Sequence, residues 1–125
     1  MIRKYNRNHR DSNSGQWVTV DINPKTNPDV IEDGQTLSSI SNNTFNHRRS
    51  DPPYNAQTAR EMYNTSLPEP IKLLKAGARV CKIGSLMFLL LGSKYYQIYP
   101  QGVKRIGRIG LTVVPNNGLR TLNIF

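Results

Sequence analysis

At 125 residues the chain has room for one domain, and its single cysteine, Cys81, excludes an internal disulfide. Cys81 has only His9 and His47 as nitrogen partners, both remote and without metal-ligand spacing, so no zinc site is expected. With 17 Lys/Arg against 8 Asp/Glu the formal charge is +9, which points to an anionic partner, either phosphate-rich or a membrane surface.

The first residues form a basic arm (Arg3, Lys4, Arg7, Arg10) with no apolar stretch behind it. No secretory signal is therefore expected, and the lone thiol agrees with a reducing, intracellular compartment, cytoplasmic or nuclear. Residues 1–69 read as a polar, mostly disordered arm, punctuated by Asn23-Pro24, Asn27-Pro28, Asp33-Gly34 and Asp51-Pro52-Pro53. Two short elements interrupt it. Val18, Val20 and Ile22 alternate with Trp17, Thr19 and Asp21, which predicts a strand over 17–22, with Trp17 as a packing anchor. Asn55 is placed to cap a short helix over 55–63 containing Ala56, Ala59, Arg60 and Met62. Leu67-Pro68-Glu69-Pro70 then makes a stiff joint.

Beyond that joint lies a basic, apolar folded module, residues 70–125. Pro70 suits the first turn of a helix. Lys72, Lys75, Arg79 and Lys82 follow at helical spacing, and Ile71, Leu74, Ala78 and Cys81 repeat the same intervals, so a basic helix is predicted over 70–82. Gly77 weakens that helix by about 1 kcal/mol relative to alanine.

Ile83 to Ser93 is an apolar run bounded by Lys82 and Lys94. It is shorter than the roughly 20 residues a membrane-spanning helix needs. Extension through Tyr99 reaches that length only with Lys94 inside, at about 3 kcal/mol. The alternative is a buried strand over 86–91. Strand candidates follow at 94–99, 103–109, 111–114 and, after the Asn116-Asn117-Gly118 turn, 119–124. The expected fold class is α+β, a small antiparallel meander over 83–124 preceded by the basic helix.

Charge is divided unevenly between these halves. The eight Lys/Arg and eight Asp/Glu of residues 1–69 cancel, and Glu69 is the last carboxylate. All nine cations of 70–125 are unopposed within that segment. General acid–base catalysis wants a carboxylate or histidine in a formed pocket, and this half supplies neither, so no enzyme and no cofactor is expected. Gly77, Gly84 and Gly92 match neither phosphate-loop nor dinucleotide spacing. A surface carrying one sign of charge instead suggests binding, through Lys72, Lys75, Arg79 and Lys82 on the helix and Lys94, Lys104, Arg105 and Arg108 on the sheet. Tyr95, Tyr96 and Tyr99 are the candidates for stacking on bases.

RNA, DNA or nucleoprotein is the partner expected first. An anionic membrane met by a peripheral, matrix-like protein is the alternative, with Leu86 to Leu91 inserting or packing beneath the headgroups. An adaptor that folds on a protein partner is the third reading, and a small core leaves room for self-association. In general character the chain is similar to small accessory or matrix-like products of compact viral genomes. That similarity implies a non-enzymatic protein that meets nucleoprotein or membrane. A small ribosome-associated protein is the non-viral equivalent.

Overall fold

The computed structural model describes residues 17–53, 56–63, 66–92, 100–112 and 119–125. Both helices and strands are present. Two short strands, β1 (Val20–Asp21) and β2 (Val30–Ile31), pair in parallel around the Pro24–Thr26 turn. Strand β3 (Phe45–Ser50), helix α1 (Ala56–Tyr63), helix α2 (Pro70–Val80), and strands β4 (Cys81–Gly92), β5 (Gly107–Thr112) and β6 (Leu119–Ile124) follow. The larger sheet is ordered β3–β4–β6–β5.

This sheet is mixed: the described strands of 83–124 pair antiparallel as expected, though in the order β4–β6–β5 rather than in sequence, and β3, outside that range, adds a parallel pair. β4 runs parallel to β3 on one side and antiparallel to β6 on the other. A parallel pair needs a crossover of a dozen or more residues, and α1 with α2 supplies it. β5 pairs only with β6 among the described residues, at the sheet edge. Among the described residues the strands expected at 103–109 and 111–114 are replaced by the single strand β5, and residues 113 and 114 lie outside them. The strand expected at 94–99 and the helix cap at Asn55 lie outside the described residues.

The arm also needs correction over residues 17–53. Val20 and Leu37 are buried in the same core as Leu73, Leu74, Val80, Met87, Leu89 and Phe125. The strand expected over 17–22 shortens to β1, and Thr19 ties it to the next turn. Its backbone N–H and hydroxyl donate to the Asp29 carboxylate at 2.8 Å, and the hydroxyl accepts from the Asp29 N–H at 2.9 Å. The short helix is present as α1, with Ala59 fully buried.

α2 begins as its residues dictate. Pro70 lacks an N–H where none is needed, and the Glu69 carbonyl accepts from Lys72 and Leu73. The helix ends at Val80, two residues before the expected boundary, so Cys81 and Lys82 belong to β4. The carbonyls it leaves open are met by residues 43 and 44: Asn43 N–H donates to Arg79 O and Thr44 N–H to Val80 O, at 2.9 and 2.7 Å. Leu73, Leu74, Ala76, Gly77 and Val80 form its buried face.

β4 is the central strand, bonded on both sides, and Met87, Leu89 and Leu91 are buried. Their cross-strand neighbours are polar: Arg48 faces Met87, Ser50 and Asn123 flank Leu89, and Thr121 faces Leu91. All four polar residues are buried. Leu86 to Leu91 therefore forms part of a paired strand, as the buried-strand alternative expected. No helix among the described residues is long and apolar enough to cross a membrane.

Candidate anion-binding surface

The eight cations expected to bind an anion meet very different fates. Lys72 is exposed and pairs with Glu69 at 2.9 Å, one helical turn back. Both side chains are more than half exposed, so the pair contributes little to stability and leaves the ammonium open to solvent. Lys75 is exposed on the outer face of α2, and no ion pair involves it among the described residues. Arg79, half-buried, turns away from that face. Its guanidinium donates to Ile40 O at 2.8 Å, Asn42 Oδ1 at 3.0 Å, Thr36 O at 3.1 Å and Leu37 O at 2.7 Å. It fastens the 36–42 loop against the helix.

Lys82 stands on the sheet rather than the helix. Opposite β3, Phe45 is level with Cys81 but His47 is level with Leu86, so β4 extrudes the extra residues as a bulge. Gly84 makes the turn at φ +85°, a conformation side-chain-bearing residues rarely adopt. Leu86 N–H donates to His47 Nδ1 at 3.2 Å, and Ser85 Oγ to Phe45 O at 3.4 Å, which pins the base of the bulge to β3. Lys82 and Ile83 stand out from it, and Ile83 is fully exposed, at 101 %.

Lys104 is exposed, Arg105 half-buried and Arg108 exposed along the approach to β5 and its start. Ile106 N–H donates to Ile124 O, and Met87 and Phe125 exchange backbone hydrogen bonds. These pairings place Lys104, Arg105 and Ile106 at the same end of the sheet as the bulge. The C-terminal end of α2 is there too, because Val80 leads directly into β4. Lys94, Tyr95, Tyr96 and Tyr99 lie outside the described residues.

Two further arginines serve the fold. Arg48 is buried beneath α2, donating to Leu73 O and to Gly34 O, and burial lowers its pKa to about 10. The same burial raises the pKa of the Cys81 thiol, with the nearby Arg48 charge opposing the shift. Arg120 reaches Asp51 Oδ1 at 2.9 Å and the carbonyls of Leu90 and Pro52 at 3.3 and 3.4 Å. Of the carboxylates, Glu32 has its pKa lowered by hydrogen bonds from Ser38 and Ser39.

One feature escaped the sequence reading. The Arg49 guanidinium carbon sits 4.9 Å from the centre of the Trp17 ring. Arg48 points into the core, so strand alternation sends Arg49 and His47 to the opposite face, where both are exposed. Trp17 is half exposed, at 50 %, rather than a buried anchor. The only sequence signals were the Arg48-Arg49 pair and the lone tryptophan, and no spacing joined them. No group of three His, Cys, Asp or Glu able to hold a metal occurs among the described residues. No protein-family model, curated protein or solved structure matches the chain, so its function is argued from these residues alone.

Proposed function

We propose that this protein is a non-enzymatic binding protein for nucleic acid or nucleoprotein, held by lysine–phosphate contacts. The observation that carries this reading is the state of Lys75, Lys82 and Lys104. All three are exposed, none is ion-paired among the described residues, and no carboxylate occurs in their half of the chain. Such charges attract phosphates and release counterions on binding. Nucleic acid is favoured within the anionic class by Trp17, a half-exposed ring with the Arg49 guanidinium over one face. Unpaired bases stack on such rings and on guanidinium planes alike.

Trp17 is the single tryptophan, so its fluorescence reports on its own surroundings. Titration with a single-stranded RNA should quench it. Affinity should fall with salt at a log–log slope of about −0.7 per phosphate engaged, near −2 for the three lysines. Absent binding, or binding indifferent to salt, would refute the proposal.

A further inference from the structure

Isoleucine is a poor tip for a surface that meets only phosphates. Ile83 cannot stack on a base and cannot donate a hydrogen bond, yet the bulge in β4 holds it wholly out of the fold at 101 % exposure. Ile106 repeats the arrangement at the same end of the sheet, at 61 % exposure. Ile106 flanks β6 and the bulge belongs to β4, so the two are separated across the sheet by two interstrand spacings, roughly 10 Å, and further offset along β4, where Ile83 precedes Met87 by four residues. Each has a nearby lysine with no ion pair among the described residues: Lys82 adjoins Ile83, and Lys104 lies two residues before Ile106. The bulge is held in shape rather than left slack. His47 and Ser85 bond it to β3, and Gly84 takes the left-handed turn.

We propose that this end of the sheet docks on an anionic lipid surface, with Ile83 and Ile106 entering the boundary between headgroups and acyl chains. Lys82 and Lys104 remain at headgroup level and pair with lipid phosphates and carboxylates. Complementarity selects this occupant. Aliphatic side chains gain from leaving water for the acyl boundary, and lysines beside them gain from negative headgroups. A nucleic acid would use the lysines and leave the isoleucines in water. An acidic protein would need apolar pockets spaced to match both. The isoleucines lie apart from the Trp17–Arg49 pair proposed for bases, but Lys82 and Lys104 are shared with the phosphate contacts, so a neutral change at Ile83 is what separates the two proposals.

The test is flotation of the full chain with vesicles of equimolar phosphatidylcholine and phosphatidylserine, alongside vesicles of phosphatidylcholine alone. The wild type should float with the anionic vesicles and stay in solution with the neutral ones. Ile83→Ser should lower the vesicle-bound fraction at least about tenfold. Ile83→Leu should hold it within about twofold, and Lys82→Glu with Lys104→Glu should also abolish flotation. Ile83 contacts solvent alone, so its substitutions should leave the melting temperature unchanged, which separates lost docking from lost folding. Affinity of Ile83→Ser, which leaves the charge beside Lys82 unchanged, for single-stranded RNA should match the wild type. Flotation of Ile83→Ser at the wild-type level would overturn the proposal, since charge alone would then explain it. So would failure of the wild type to float, or an equal loss of RNA affinity in Ile83→Ser, which would assign the bulge to nucleic acid.

Discussion

The guanidinium of Arg79 holds Leu37 in a left-handed backbone turn. Leu37 has φ 50°, rare for a large side chain, and its carbonyl accepts from Arg79 Nη2 at 2.7 Å. That geometry costs about 1–2 kcal/mol, and it lets the Leu37 side chain reach the core, where it is 4 % exposed. A cation read as part of a binding stripe thus turns out to fix a loop.

Arg79 and Lys75, one turn apart on α2, should therefore separate folding from binding. Arg79→Met should destabilise the protein by about 2 kcal/mol, a fall of about 8 °C in melting temperature, with RNA affinity little changed once folding is restored. Lys75→Glu should leave the melting temperature within about 2 °C and weaken RNA binding about fivefold. Thermal melts and fluorescence titrations on both variants check the pair of outcomes.

Gly77→Ala should destabilise, although alanine is the better helix former by about 1 kcal/mol. A Cβ there would lie 2.6 Å from Met87 Sδ, 2.9 Å from Arg48 Nη1 and 3.2 Å from Arg48 Cδ. Both neighbours are flexible side-chain ends, but Arg48 is held by the carbonyls of Leu73 and Gly34. A net loss of about 1–2 kcal/mol in a denaturant melt is expected. A gain would mean that the guanidinium shifts freely.

Asp51 and Arg120 form a partly buried ion pair that joins the two halves of the chain. Asp51→Ala leaves the cation among backbone carbonyls without that carboxylate. The loss should be about 2 kcal/mol, below the value for a fully buried pair because Asp51 keeps 31 % of its side chain exposed. Adding Arg120→Met to Asp51→Ala should recover part of the loss. Equal stability of the single and double variants would show that the pair contributes only packing.

Cys81 should resist thiol reagents in the folded protein, because it is buried and its pKa is raised by that burial. The sign of the pH effect follows. Keeping the thiol neutral contributes stability that is fully present below the ordinary thiol value of about 8.5 and is lost as pH rises through the raised value. Stability should decline above about pH 8.5, and Cys81→Ala should flatten that decline. Iodoacetamide labelling that keeps pace with an unfolded control would contradict the burial.

Apolar patterning made α2, β4 and β6 legible, and Ala59 with its neighbours made α1 legible. β3 was not, for a physical reason. Its sequence, Phe-Asn-His-Arg-Arg-Ser, places Arg48 and Ser50 at the core positions, so hydrophobic alternation carries no signal there. Backbone carbonyls on α2 and at Gly34 make a buried Arg48 tolerable, and both are distant in sequence. The parallel β3–β4 pairing followed β3 out of view. Among the site residues, exposure of Lys72 and Lys75 followed from helical spacing. The commitment of Arg79 did not, because its acceptors, three backbone carbonyls and the Asn42 amide oxygen, lie in a loop about forty residues earlier.

The electrically silent part of the chain is what allows the charged part to exist. A fragment beginning at Pro70 would keep all nine cations of its half, yet it would lose the strand alongside β4, the loop beneath Arg79 and the carboxylate facing Arg120. It would be a self-repelling segment with an open strand edge, prone to pair with copies of itself. Electrical character and mechanical support come from different stretches of this polypeptide, and neither can be removed without forfeiting the other.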